Sequence, residues 1–370
     1  MKKILFLIHD LGHGGAEKVL VNLVNNMDPE KFDITVLALF GGGVNEQFIK
    51  PHVRVITVFK KAFPGNSHLL KLLTPKQLHK WLIKDKYDIE VSYLEGPSAR
   101  IISGCPHEDT KLVSWIHFTA KSKKEVCKSF RTERETANCY NKFHNTVFVS
   151  KEVRDSFFEY LPLSNPTCVL YNVNSTETIL GKSSENIRDE LIVGSEFKLC
   201  SVGRLIKVKG YERLINIHKR LIDEGKNIKT IILGDGAEKE RLQKQIDDNN
   251  LSESVTLLGY QTNPYKYVSK CDLFVCSSYS EGFSTAATEA LIVGTPVCTV
   301  EVSGMKEMLG ENNEYGVVTE NNEDSLYEGI KQLIDNPELL AHYKKQAKER
   351  AKIFTTKETV TAVENMLLNL

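Results

Sequence analysis

What the chain lacks narrows its reading first. No window approaches ~18 uninterrupted apolar residues, so no membrane-spanning helix is expected. No low-complexity tract interrupts it, and 41% apolar with 26% charged residues is the composition of a folded, globular protein. The eight cysteines form no CxxC pair, and most sit in apolar runs such as "KLCSVG" and "PVCTV". They are expected as reduced core residues of a cytosolic protein, without a disulfide framework. The histidines show no HExxH or other metal-ligand spacing, so no metal site is expected. A dinucleotide fingerprint fails as well: in "GHGGAEK" a glycine would be needed where Glu17 stands. That removes most of the case for a nicotinamide enzyme. Net charge is zero, and no nucleic-acid partner is expected.

What is present is length and alternation. At 370 residues the chain exceeds the usual size of one core, so two domains are expected. The opening "MKKILFLIHDLGHGG" has an apolar run of only ILFLI followed by a polar turn, and reads as a buried first strand, not a signal peptide. Strand-like runs then alternate with helical patterns: "DITVLALF", "VRVITV", "IEVSYL", "KLVSWIH", "NTVFVS" and "TCVLYN". A second series restarts with "KLCSVGR" and continues through "KTIILGD", "SVTLLGY", "CDLFVCS" and "PVCTV". Runs apolar on both faces, alternating with helices, imply parallel sheets covered on both sides. The pattern occurs twice, giving an α/β fold of two doubly wound, Rossmann-like domains. The boundary falls in the polar stretch 172–183, which sets a first domain of residues 1–175 and a second of 176–355. The last helix, 356–370, is expected to pack back on the first domain.

In such sheets ligands bind beyond the carboxyl ends of the strands. After the first strand, Gly14 and Gly15 open a helix whose bare N–H groups suit an anion. After the first strand of the second half, "SVGRLIKVKGYERL" places Arg204 and Lys209 beside a helix start. A guanidinium fork and a point charge together suit a diphosphate. Gly259 and Tyr260 end another strand, where backbone groups and a ring suit a flat base. The stretch "SYSEGFSTAATEALIVGTPVCTV" carries the sharpest signal. Gly282, Phe283, Ser284 and Thr285 lead into a helix that Ser284 or Thr285 can cap, forming a cradle for an anion. Glu289, about one turn inside at ~1.5 Å per residue, has the wrong charge for phosphate but the right groups for a ribose diol. Glu281, before the cradle, is placed to accept from hexose hydroxyls. Diol, diphosphate and sugar is the order of a nucleotide sugar. The plainer alternative pairs Glu289 with a basic residue and leaves Glu281 to the helix dipole.

The stretch "EGFSTAATEALIVGTPV", with "GRLIKVKG", "GGAEK" and "NPYKYVSKCDLFVCSSYSEGF" in matching order, resembles the retaining glycosyltransferases of family 4 along essentially the whole chain. The resemblance implies the glycosyltransferase-B fold, two Rossmann-like domains facing across a cleft: an N-terminal acceptor domain and a C-terminal donor domain. It implies that Arg204 and Lys209 hold the donor diphosphate, Glu289 the ribose and Glu281 the transferred sugar. His117, ending "KLVSWIH", matches the family's first-domain histidine near sugar and phosphates. Ser284 departs from a glycine common in the family, which bears on hexose contacts. The implied catalytic set is His117, Arg204, Lys209 and Glu281. The implied reaction retains configuration and needs no cofactor, and no DxD metal motif is evident. The donor is expected to be a nucleotide-diphosphate sugar, with UDP the leading base.

The charge distribution bears on the acceptor. Residues 1–170 hold 24 basic against 18 acidic residues, a net of +6 that the remainder balances. The excess gathers in residues 59–86 and 121–131, interleaved with Leu69, Leu70, Leu72, Leu73, Leu78, Trp81 and Leu82. Leu78, Trp81 and Leu82 recur at helix spacing, a stripe that is usually core. The sharper reading is a basic, apolar surface on anionic lipid. That suits a lipid-linked or oligosaccharide acceptor in capsule or related polysaccharide synthesis, by a cytoplasmic protein peripheral on the inner face of the plasma membrane. Two other readings compete: a nucleotide-sugar 2-epimerase of the same fold, which would need no acceptor, and a non-catalytic nucleotide-sugar binder.

Overall fold

A computed structural model describes residues 1–12, 14–61, 70–187 and 193–370. Leu69 lies outside the described residues. The chain divides into two compact units, residues 1–174 with 356–370, and residues 175–355.

The first unit is built on seven parallel strands in the order β3-β2-β1-β4-β5-β6-β7. These are β1 Lys2–Ile8, β2 Phe32–Phe40, β3 Arg54–Phe59, β4 Ile89–Ser92, β5 Lys111–Ile116, β6 Asn145–Phe148 and β7 Thr167–Val169. Ile4 sits beside both Ile34 and Ile89 across the ladder, so β1 is the sheet's centre. Its residues Ile4 to Ile8 are all fully buried, which is why this strand reads as an unbroken apolar run. Strand order reverses between β1 and β4, creating the point where two successive loops diverge and leave room for a ligand. The closing helix Thr356–Leu368 buries Val360, Val363 and Leu367 within this unit. Its Glu364 accepts from the Asp28 amide at 2.7 Å and from Lys31 Nζ at 3.2 Å.

The second unit has six parallel strands in the order β10-β9-β8-β11-β12-β13. They are β8 Phe197–Val202, β9 Ile228–Leu233, β10 Val255–Gly259, β11 Leu273–Cys276, β12 Val297–Val300 and β13 Val317–Thr319. Here the order reverses between β8 and β11. β13 was not among the expected strands: "VVT" is three residues long, too short for alternation to register. The polar stretch read as a boundary contains a helix, Thr176–Ser183. Its Ile179 packs with Tyr265 and Ile292 in a buried cluster of the second unit. Of its adjacent apolar residues Ile179 and Leu180 only Ile179 is buried, too weak a stripe to mark a helix before its partners are known.

Candidate active site

The second unit gathers its polar side chains at the β8/β11 switch point. Beyond β8 the chain makes a short turn of 3-10 helix over Lys207–Lys209, then Gly210 takes a left-handed conformation with φ 63°. A Cβ on Gly210 would lie 2.2 Å from the Ser277 carbonyl, so only glycine permits this approach of the two loops. The loops are then stitched together. Ser277 Oγ donates to the Lys209 carbonyl at 3.0 Å, and the Tyr279 amide donates to Val208 at 2.8 Å. Arg213, buried in the first turn of the helix Tyr211–Asp223, donates to the carbonyls of Ser277 at 2.6 Å and Ser278 at 2.7 Å, and to Asn321 Oδ1 at 2.9 Å. Its guanidinium also lies 4.3 Å from the Tyr279 ring centre.

This scaffold brings Lys209 and Glu281 into contact. Lys209 Nζ donates to Glu281 Oε1 at 2.7 Å, and Ser278 Oγ donates to the same oxygen at 2.5 Å. The Glu281 side chain is only 11% exposed, so the pair is shielded enough for its charge to matter. Beneath it, burial and then the Glu281 charge push the Cys276 thiol pKa up, keeping it neutral. Arg204 is exposed at the end of β8. The following helix runs over Thr285–Ile292, and Ser284 caps it by accepting from the Ala287 amide at 3.3 Å. Gly282 and Thr285 are partly exposed, whereas Phe283 and Ser284 are buried. Glu289 is buried in the second turn and accepts from the Tyr265 hydroxyl at 3.2 Å. Gly259 has φ 75° with open space around it, and Tyr260 is 55% exposed.

In the first unit, the loop after β1 is held by its neighbours. The Gly12 amide donates to Asp10 Oδ1 at 2.8 Å, and Asn45 Nδ2 donates to the Gly12 carbonyl. The hydrogen bond from His9, outweighing burial, holds the Asp10 carboxyl below its usual range. Gly14 then caps the helix Gly15–Asn26. The Glu17 carboxylate curls back over that cap, 1.9 Å from where a Gly14 Cβ would stand. The residue that spoils the dinucleotide fingerprint thus puts its own acid at the helix start. At the end of β5, the His117 amide donates to Glu95 Oε2 at 3.1 Å, and its ring tilts 5.0 Å from Tyr93. His117 is partly exposed, but its Nε2 is enclosed and, among the described residues, has no hydrogen-bond partner. Burial pulls its pKa down from 6.5 to about 3, leaving the ring neutral at physiological pH.

Sequence reasoning missed several residues here. Arg213, Ser278 and Tyr279 build the frame for Lys209 and Glu281. Gly304, with φ 79°, backs the Phe283 ring at 2.7 Å from its would-be Cβ. Glu95, whose pKa burial raises, follows β4 at the other switch point. "YLEGPSAR", an acid at a strand end followed by a Gly-Pro helix start, was the available signal for Glu95. Nothing local marks Arg213, since its partners lie 64 to 108 residues away.

Comparison with known proteins follows the same division. Residues 13–177 match the model for Glycosyltransferase Family 4, and residues 182–350 match that for Glycosyl transferases group 1. A Campylobacter jejuni protein, N-acetylgalactosamine-N,N'-diacetylbacillosaminyl-diphospho-undecaprenol 4-alpha-N-acetylgalactosaminyltransferase, is 31% identical over 367 residues, 96% of each chain. Among solved structures, HepE of Anabaena in complex with UDP has a TM-score of 0.80 at 20% identity over the whole of both chains. Sucrose-phosphate synthase of Thermosynechococcus elongatus has a TM-score of 0.82 at 18% identity, covering 100% of this chain and 99% of that one. Both share its two-domain, parallel-sheet fold. The chain belongs to the family 4 glycosyltransferases.

Proposed function

We propose that the protein transfers a sugar, with retention of configuration, from a UDP-sugar to a lipid-linked saccharide in the assembly of a bacterial surface glycan. The contact that carries this reading is Lys209 Nζ with Glu281 Oε1, at the switch point beside exposed Arg204 and ahead of the Ser284-capped helix. Two cations and a helix start suit the two charged phosphates of a donor. The carboxylate next to them suits hydroxyls of the transferred sugar, and buried Glu289 suits the ribose. Gly14 and Gly15 approach the diphosphate, Gly259 and Tyr260 the base, and His117 stands near the sugar and phosphates. The residues 1–174 serve the acceptor and 175–355 the donor.

In this reaction the acceptor oxygen bonds to the anomeric carbon on the face that the phosphate leaves. The bond from that carbon to the phosphate oxygen breaks, and the acceptor proton passes to the departing phosphate. Arg204, Lys209 and the helix start stabilise the charge that develops there. Neutral His117 positions the sugar and takes no proton. No metal is needed, since the two side-chain cations supply the charge stabilisation. The name of the Campylobacter relative supports a lipid-diphosphate acceptor, and the UDP held by HepE supports the base.

The acceptor side rests on anionic lipid at the inner face of the plasma membrane. Among the described residues no helix is long and apolar enough to cross a membrane. In the helix Pro75–Leu82, Leu78 and Leu82 are buried while Trp81 is 41% exposed between exposed Lys76, Lys80 and Lys84. Each such cation near an anionic surface contributes ~1 kcal/mol.

The test screens a nucleotide-sugar panel for transfer to a lipid-linked acceptor, with the product's anomeric configuration read by NMR. Arg204→Ala and Lys209→Ala should each lower transfer by roughly 100-fold or more. Near-normal turnover in both variants, or an inverted product, would sink the reading. Conversion of a UDP-sugar without acceptor would point to the epimerase instead.

A further inference from the structure

Away from the strand-end site, one cluster in the first unit brings three different metal-ligating side chains together. His79 from the helix Pro75–Leu82, Glu90 from β4 and Cys105 from the turn after the helix Pro97–Ile102 place their ligand atoms within 4.8 Å of one another. His79 Nε2 lies 2.8 Å from Glu90 Oε2, and Cys105 Sγ lies 3.6 Å from Glu90 Oε1. Glu90 is fully buried and His79 is 3% exposed, while Cys105 is half-buried on the side toward solvent.

The physical oddity is Glu90. It stands in the middle of a sheet among Ile89 and Val91, where an uncompensated carboxylate is strongly disfavoured. Among the described residues no lysine or arginine pairs with it; its partners are an imidazole and a thiol. We propose that His79, Glu90 and Cys105 bind a structural zinc ion that ties the Trp81-bearing helix to the sheet. A carboxylate and a thiolate cancel the charge of a divalent cation, and imidazole with thiolate selects zinc among the common ions. Zinc–ligand bonds of about 2.0–2.3 Å set tetrahedral ligand atoms roughly 3.3–3.6 Å apart. The Sγ–Oε1 separation already fits that spacing, the Nε2–Oε2 separation must open slightly, and all three ligand atoms already lie within 4.8 Å of one another. On binding, the Cys105 thiol proton leaves to solvent as the sulfur–zinc bond forms, and His79 keeps its proton on Nδ1 so that Nε2 can coordinate. Three protein ligands leave the fourth tetrahedral position to water. The chain positions 79, 90 and 105 match no short metal motif, because three separate elements supply the ligands.

The experiment loads the full chain, freed of metal by chelation, with zinc and with cobalt(II) as a spectroscopic probe. Expected are one zinc per chain and a thiolate-to-cobalt charge-transfer band. Equimolar zinc should raise Tm and protect Cys105, but not Cys127, from alkylation, read by peptide mapping. Cys105→Ser and His79→Gln should each weaken zinc binding at least tenfold and abolish the band. Absence of stoichiometric zinc, or binding unchanged in Cys105→Ser, overturns the site and leaves a buried His–Glu hydrogen bond. Should a variant not fold, Cys105 alkylation in the unaltered chain decides: protection by zinc supports the site, and equal labelling with and without zinc overturns it.

Discussion

At the scale of single residues, two histidines illustrate how burial sets chemistry. His117, pulled down to about 3, cannot serve as a base whose protonation governs rate near neutrality. The pH profile of transfer should therefore show no inflection near 6.5 assignable to it. His117→Asn should lower transfer about tenfold without moving the profile; a shifted profile would assign it a proton-transfer role. His218 is buried between Thr230 Oγ1 at 2.8 Å and Ser254 Oγ at 2.9 Å, and burial lowers its pKa to about 4. Unfolded, it binds a proton below about 6.5, so the unfolded state holds more protons between pH 6.5 and 4. Stability must therefore fall as pH falls through that window, by up to roughly 3 kcal/mol from this residue. Urea unfolding of His218→Asn should be less stable than the unaltered chain at pH 7.5, yet flatter between pH 6.5 and 4.5. An identical slope would remove His218 as the source.

At the scale of elements, the site depends on loops held by specific backbone features. Gly210 allows the β8 and β11 loops to meet, and alanine there would meet the Ser277 carbonyl while forced into a left-handed conformation. Gly210→Ala should cost about 1–2 kcal/mol or more from the conformation alone. It should also reduce transfer at least tenfold, by shifting Lys209 away from Glu281. Denaturant midpoints and single-turnover rates read the two effects separately. In the first unit a comparable device orders residues 70–73. Arg100 donates to the carbonyls of Leu70 and Leu73, and Arg131 to those of Lys71 and Leu72. Glu135 bridges both, accepting from Arg100 Nη2 at 2.8 Å and from the Arg131 amide at 2.6 Å. Leu72 is thereby held 73% exposed beside the basic helix. Removing the carboxylate leaves the buried Arg100 guanidinium uncompensated. Glu135→Ala should destabilise the chain by about 3 kcal/mol, seen as a lower urea midpoint at unchanged slope.

At the scale of the whole molecule, zero net charge conceals the +6 of residues 1–170. If that excess meets anionic lipid, association must weaken with salt, because exposed charges are screened within about 8–10 Å at ordinary ionic strength. Co-sedimentation with anionic vesicles should be clear at 50 mM salt and largely lost by 500 mM. Neutral vesicles should bind little at either, and Trp81→Ala should reduce binding at low salt. Binding that ignores salt and lipid charge would remove the membrane surface from the proposal.

The repeated β/α pattern was legible from residues alone because strands buried on both faces cannot hide their apolar runs. The Ile4–Ile8 run is one such strand. The strand ends were legible for the same reason: once strands are located, Arg204, Lys209, Glu281 and the Ser284-capped helix must fall at their carboxyl ends. Short-range chemistry thus determined the fold class and where along the strands the candidate site residues fall. Only the tertiary structure decided which groups meet. Lys209 finds Glu281 across 72 residues, Arg213 spans two loops, and His79, Glu90 and Cys105 converge from three elements. Sequence spacing describes neighbours along a helix or strand, whereas these contacts are set by strand order in the sheet, which no local pattern contains.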